Sequence, residues 1–517
     1  MNKKIIGFIL LIALGTAAIV GIKVLTPLFE DRKQKSTSDA GGVKSTITID
    51  MDSWVGYYPL CSQEMKRRLK AKGYGLKCND DNADYAGRME RLQKQQTFFA
   101  VATVDSYVLN GRDKKYPAVI VAVIDESKGG DGLVAGKTIR SIDDLKKKSS
   151  FRIAFTPGSP SEHLAKSLAS HFDAPVLIAK ENRIETKGSG EALKKLLTDA
   201  VDVAVLWEPD ITKAVSKGYN KLISTENTEK LIVDILLVNR DFNADHPEIV
   251  QQLLGEYFRV LKHYTENPEQ LKKEVANHYT VTSDQAESML KGVQWINLES
   301  NARKWFGVAA QGGTSVEDLS DAIQSTVQIL KDSHDFEKNP LPDADPYRII
   351  NSKFIQELYA GTMNSQFGVE KATEPIVGSL EKKFRKLGDA EWDALREIGT
   401  LRIRPITFQS GTAGLGVEDK KEIDNAIEAL KHYPNYRVVI KGHTGLRGDK
   451  QENRRLSQQR ADAVKNYIEA TYHIDVNRIR ARGMGSDYPL SKKPDESERT
   501  YQYRLPRVEL YLVSETL

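Results

Sequence analysis

The sequence predicts an α/β protein: two α/β lobes, then a smaller α+β module, behind one N-terminal membrane-crossing segment. Three observations predict it. Residues 46–240 alternate short apolar or β-branched runs with amphipathic helical stretches, the pattern of sheets covered by helices. Beyond Glu374 the pattern changes to a compact α+β succession. Ile5–Ile22 is an uncharged run of 18 residues, just long enough to cross a bilayer.

At 517 residues the chain has room for two to four domains, and 40% hydrophobic with 28% charged content describes a globular protein. A net charge of +4 is too small to imply a polyanionic partner for the whole molecule. Two cysteines, Cys61 and Cys78, exclude a disulfide-rich scaffold and a cysteine-based zinc cage.

Residues 1–25 set the expected location. Lys3 and Lys4 precede the apolar run, so the amino end stays in the cytoplasm and the remainder is exported. A cleavable signal is the competing reading. The run is long for a signal core, and only Gly15-Thr16-Ala17 offers a weak cleavage site, which favours an uncleaved anchor. The chain is therefore read as single-pass in the inner membrane with its bulk in the periplasm. There Cys61 and Cys78 meet oxidising conditions and are free either to pair or to remain thiols. Residues 26–45 are polar and Gly/Ser-containing, a tether.

From Ser45 the expected order is strand Thr46–Met51, helix Leu60–Lys72, strand Gly75–Cys78, helix Asp84–Lys94, then buried runs at Phe98–Val104 and Tyr116–Ile124. This reads as a parallel sheet covered on both faces. A second set follows at Phe151–Phe155, Val201–Leu206 and Leu222–Ser224, and 231–238 (LIVDILLV) returns to the first lobe. Two lobes joined by two crossings enclose a cleft. The helix start at Thr156–Glu162 carries a capping Ser159, Pro160 at the first position and Glu162 in the first turn. Such a start offers free amides to an anionic ligand, although an ordinary strand-to-helix turn has the same signature. Polar groups recur at other strand ends: Trp54-Val55-Gly56-Tyr57, Asp105-Ser106, Gly129–Gly132, Gly188–Glu191 and Trp207-Glu208-Pro209.

Residues 246–335 read as helical throughout, and 366–395 as a linker. The final module, 396–517, is expected to contain a charged helix at Leu380–Lys386 leading into it and a strand near Ile403–Phe408. A helix at Val417–Tyr433, a strand at Tyr436–Lys441, a helix at Leu456–Ala470 and strands at Arg478–Gly483 and Val508–Val513 complete it. Arg460 lies on the edge of the stripe formed by Leu456, Val464 and Tyr467. There it is placed either to fork onto a ligand carboxylate or to pair internally with Asp449 or Glu452.

WVGYYPL, ATVDSY, DESKGGDGLV, SIDDLKKK, FTPGSPSEHL and VDVAVLWEPD, in that order, resemble the solute-binding proteins of ABC importers, of the nitrate-, sulfonate-/taurine- and thiamine-precursor-binding type. The resemblance implies a type II periplasmic-binding-protein fold over 46–365 and a cleft lined by Trp54, Tyr57, Asp105, Ser106, Ser159, Ser161, Trp207, Glu208 and Asp234. The mixture of hydroxyls, carboxylates and aromatic walls suits a small polar or anionic metabolite, a zwitterion or polar heterocycle better than bare nitrate. GHTGLRGDKQENRRLSQQRADAVKNYI, Gly442–Ile468, resembles the OmpA-like peptidoglycan-binding domain. That resemblance implies binding of the wall's stem peptide through Arg460 and Asn453. Two departures stand out: Gly445 occupies the place of the family's aspartate, and Leu505-Pro506-Arg507 that of its Asn-Arg-Arg.

No metalloprotease, phosphate-loop or nucleophile–histidine pattern is present, so neither catalysis, cofactor nor metal is expected. No aromatic-interleaved basic strand points to nucleic acid. The expected partners are a solute, the wall, and an ABC importer or another inner-membrane protein. The rival reading is a membrane-to-wall tether whose binding fold has lost its ligand.

Overall fold

The computed structural model describes residues 43–517 except 149, 309–315, 362–379, 405, 407, 409–411 and 516–517. The expected membrane anchor and most of the tether lie outside the described residues. Among those described, no helix is long and apolar enough to cross a membrane.

Strands β1 (Ser45–Met51), β2 (Tyr74–Asp80), β3 (Phe99–Thr103) and β4 (Ala118–Ser127) belong to the first lobe. The chain then crosses to the second lobe, where β5 (Asp131–Ala135), β6 (Ile153–Phe155), β7 (Arg183–Glu185), β8 (Val203–Trp207) and β9 (Asn220–Ser224) form a sheet in the order β7-β6-β8-β5-β9. It returns through β10 (Val233–Asn239) and β11 (Val293–Trp295), completing a first sheet of order β11-β4-β10-β3-β1-β2. The result is two α/β lobes, crossed by residues 128–130 and 225–232. β3, β4 and β10 are buried along their whole length, which is why they read as unbroken apolar runs.

The sheets are mixed, not parallel as the alternation suggests. β1 runs parallel to β2 and β3, but β10 is antiparallel to both β3 and β4, and β5 is antiparallel to β8 and β9. A strand that enters directly from the other lobe, with no crossover helix to reverse it, is laid down in the opposite sense. The short β11 likewise interrupts the stretch 246–335, expected to be all helix, by pairing with β4.

Five helices position the functional surfaces: α1 (Val104–Gly111), α2 (Pro160–His171), α3 (Ser189–Leu197), α4 (Asp318–Asp332) and α5 (Val417–Leu430); a sixth, α6 (Lys450–Tyr472), is capped by Asp449. The C-terminal unit adds β12 (Arg396–Thr400), β13 (Arg437–His443), β14 (Ile479–Gly485) and β15 (Arg507–Ser514) in the order β12-β15-β13-β14. The edge strand is thus Arg396–Thr400; of the stretch 403–408, expected to be a strand, residues 405 and 407 lie outside the described residues and the other four are not in a strand. After Leu401 N bonds to Leu510 O at 2.8 Å, Arg402 N turns to His171 O at 2.6 Å and the chain leaves the sheet. Nor is 380–386 helical. Leu380 and Leu387 are buried, and the Phe384 ring receives the guanidiniums of Arg437 and Arg478 at 4.9 and 5.5 Å, contacts that outweigh local helix propensity.

The second lobe and the C-terminal unit share one apolar core, in which Phe172 packs on Tyr433 and Ile398 lies among lobe residues. Thr400 bonds to Asp143 through both N and Oγ1, at 3.0 and 2.7 Å, and Glu229 N bonds to His432 O at 2.9 Å. Cys61 and Cys78 form a disulfide with Cα atoms 6.2 Å apart, resolving the open pairing.

Candidate ligand-binding site

Between the lobes lies a cavity of about 170 Å³. Six of the expected residues line it: Trp54, Tyr57, Ser159, Ser161, Trp207 and Asp234. Each is held from behind. Trp54 follows β1, and its Nε1 donates to Asp125 Oδ1 at 3.1 Å. The Trp207 N donates to Ser189 Oγ at 3.1 Å, tying the end of β8 to the start of α3. Gly130, in the first crossing, lies under the Trp54 indole so closely that a Cβ there would meet its Cη2 at 2.3 Å.

Three expected residues stand elsewhere. Ser106 is fully buried in the capping box of α1, where its hydroxyl serves the Thr103 backbone. Asp105 faces a side crevice with Glu162 and His163; one of its oxygens has no hydrogen-bond partner, and burial pushes its pKa up to about 7. Glu208 turns away to accept from Thr212 N and Oγ1 at 3.2 and 2.9 Å.

The helix start at Ser159 is less bare than its sequence suggests. Gly158 N donates to Glu162 Oε2 at 2.7 Å, Pro160 has no N–H, and Ser161 N donates to Ser159 Oγ at 3.2 Å. Capping by its own side chains takes two of the amides that an oxyanion could use. What faces the cleft instead is the fully buried Ser161 hydroxyl, which has no hydrogen-bond partner.

Acidic groups dominate the floor. Asp234 and Asp125 are direct cross-strand neighbours on β10 and β4, and the Tyr57 hydroxyl donates to Asp234. Burial, opposed by the Trp54 hydrogen bond, pushes Asp125 up to about 7; burial and then the Asp125 charge raise Asp234. Asp131 accepts from Ser127 Oγ at 2.7 Å, and burial raises it to about 7. Asp131 lines the cavity from the Gly129–Gly132 loop, Asp52 and Tyr85 line it without having been singled out from sequence, and Lys187 adds an exposed cation. The signal for Asp125 was weaker than that for Asp234: it follows the last residue of the apolar run Tyr116–Ile124, whereas Asp234 lies inside one. Among the described residues no group of three metal-ligating side chains is positioned to hold a metal.

In the C-terminal unit, β13 and α6 touch. A Cβ on Gly442 would stand 2.2 Å from Ser457 O, so glycine is required there. Beyond it, Thr444 N bonds to Gly485 O at 2.9 Å and Asn453 Nδ2 holds Arg447 O at 3.1 Å, fixing the loop. Arg460 pairs with neither Asp449, which caps α6, nor Glu452, which binds Arg455. Its Nε donates to Thr412 O at 3.1 Å and its guanidinium lies 4.8 Å over the Phe408 ring. Burial holds its pKa below the usual arginine value, with no acidic side chain countering it.

Residues 407–502 match the OmpA family. The C-terminal unit is an OmpA domain. Among curated relatives, outer membrane protein Omp38 of Acinetobacter baumannii is 30% identical over 100 residues, 19% of this chain and 28% of that protein. The probable lipoprotein YiaD of Escherichia coli is 36% identical over 86 residues, 17% and 39% respectively. The peptidoglycan-associated lipoprotein of Rhizobium meliloti is 28% identical over 92 residues, 18% and 52%. The chain therefore spans between about a quarter and a half of the length of these relatives. Among solved structures, the alkanesulfonate-binding protein SsuA from Xanthomonas axonopodis pv. citri overlaps 60% of this chain and 100% of its own, with 15% identity and a TM-score of 0.46. The periplasmic nitrate-binding protein NrtA from Synechocystis overlaps 63% and 92%, with 12% identity and a TM-score of 0.46.

Proposed function

We propose that this chain captures a small polar solute between its two lobes and docks to peptidoglycan through its OmpA domain, without catalysing a reaction. On this reading residues 1–25 anchor it in the inner membrane and the rest faces the periplasm. Residues 46–365 form the solute module, 396–517 the wall module, and 366–395 join them; an ABC importer or another inner-membrane protein receives the solute. The observation that carries the reading is the cavity between the lobes, walled by Trp54 and Trp207 from opposite sides with the unsatisfied Ser161 hydroxyl facing it. The OmpA match and the buried, acid-free Arg460 support the wall contact, with Asn453 shaping the loop beside it.

A thermal-shift screen of the full chain against metabolites tests solute capture, because a ligand that binds only the folded state raises Tm by mass action. Trp207→Ala is expected to abolish the shift. Retention on isolated peptidoglycan tests the second contact, with Arg460→Ala expected to lose it. A chain that holds the wall yet responds to no solute is a tether.

A further inference from the structure

We propose that the cleft is built for a small organic cation, an amine or quaternary ammonium, and not for an anion. This deepens the solute-capture reading and rests on it. Three carboxylates, those of Asp52, Asp131 and Asp234, line a cavity of about 170 Å³, and Asp125 stands directly behind them. Arg88 partly answers Asp52, at 3.3 Å. Asp131 accepts from the Ser127 hydroxyl, Asp234 accepts from the Tyr57 hydroxyl and shares a side-chain hydrogen bond with Asp125, and the charges acting on them are acidic: Asp105 and Glu208 on Asp131, Asp125 and Asp52 on Asp234. A hydroxyl satisfies a lone pair but brings no positive charge, so burial drives these carboxyls toward their protonated form, and a cationic guest is what would let them ionise.

The walls agree with the floor. Trp54, Tyr57, Tyr85 and Trp207 surround the same space, and aromatic faces attract a cation through their quadrupoles. The groups that would attract an anion are compromised. At the start of α2, Ser161 N is taken by Ser159 Oγ and the preceding Gly158 N by Glu162, and Lys187 is exposed to solvent. The buried Ser161 hydroxyl, with no partner of its own, supplies a polar contact suited to an N–H or hydroxyl of the guest. The volume, small beside the roughly 300–1,000 Å³ of drug-sized pockets, limits the guest to a compact molecule.

The test is calorimetric titration of the full chain with choline, phenethylamine and putrescine. Parallel titrations use 3,3-dimethylbutan-1-ol, which has choline's shape without its charge, and methanesulfonate and nitrate. The expected result is saturable binding of at least one cation, no binding of the neutral isostere or the anions, and roughly tenfold or greater weakening in Asp131→Asn and Asp234→Asn, which keep side-chain volume. The isostere comparison needs no variant and stands if either one fails to fold. Binding of the anions or the neutral alcohol in place of the cations overturns the cation assignment and leaves solute capture standing. Silence from all six compounds overturns the assignment and counts against solute capture as well.

Discussion

His171 Nδ1 and the Tyr433 hydroxyl meet at 2.9 Å, joining the last residue of α2 in the second lobe to the OmpA domain. The first turn of the same helix carries Ser161 in the cleft, so one helix runs from the interlobe cavity to the OmpA domain. Because Phe172, Ile398 and Tyr433 belong to one core, the second lobe and the OmpA domain should unfold together. Phe172→Ala, at a side chain with no exposure, is expected to cost about 3–5 kcal/mol and to split the shared calorimetric transition in two. A single undivided transition in that variant would show that Phe172 does not hold the two units together.

Stability at the junction should depend on pH through buried imidazoles. His432 donates from Nδ1 to Glu229 O at 2.8 Å and contacts Ser325 Oγ through Nε2 at 2.7 Å; burial, with Lys230, His163 and Lys431 nearby, lowers its pKa to about 4. Burial lowers His171 as well, and His163 to about 3. In the unfolded chain these groups take up protons near pH 6.5. Their stabilising contribution is therefore complete above pH 6.5 and is lost as pH falls toward 4. At pH 5 the His432 share is about 2 kcal/mol. The buried Asp105, Asp125 and Asp131, raised to about 7, act in the opposite sense, so the measurement is a difference. Urea midpoints of wild type and His432→Gln should change their spacing between pH 7.5 and 5, the wild type losing more.

Gly130→Ala should disable the cleft without replacing any of the side chains that line it. The added methyl would lie 2.3 Å from Trp54 Cη2 and 3.0 Å from Gly292 O, so the indole must tilt and release Asp125. A cost of about 1–3 kcal/mol is expected, with altered tryptophan fluorescence and loss of any ligand-induced Tm shift. An unaltered emission spectrum would place the strain elsewhere.

The disulfide closes a separation of 17 residues beside the first two strands. By the chain-entropy relation, removing it should cost about 3 kcal/mol. Dithiothreitol should lower the urea midpoint of the wild type and leave a Cys61→Ser/Cys78→Ser double variant unaffected.

Gly445→Asp should strengthen retention on peptidoglycan. No atom lies within 4 Å of a Cβ at Gly445, and its backbone is outside the left-handed region, so a carboxylate is accommodated there. One added charge-assisted hydrogen bond to the ligand's ammonium would raise affinity by roughly tenfold. Equal retention of the two proteins would mean that this loop does not face the stem peptide.

The sequence by itself determined the repeating elements and much of the cleft. Buried strands such as β4 and β10 must be continuous apolar runs, and a lone Asp234 inside such a run is visible without coordinates. Trp54, Ser159 and Trp207 were legible because strand ends and capped helix starts carry local signatures. The GHT loop and Arg460 were equally legible as a motif. Only the tertiary structure decided the rest. It set the strand directions, because these follow from where a crossing segment enters the sheet, and it placed Asp125 beside Asp234, because cross-strand register is a long-range fact. It also tied Gly158 N to Glu162 and Ser161 N to Ser159 at the start of α2, and seated the OmpA domain on the second lobe through His171 and Tyr433. Local pattern encodes burial and capping; which charges face one another, and across which surface two modules join, depends on distances that no local pattern contains.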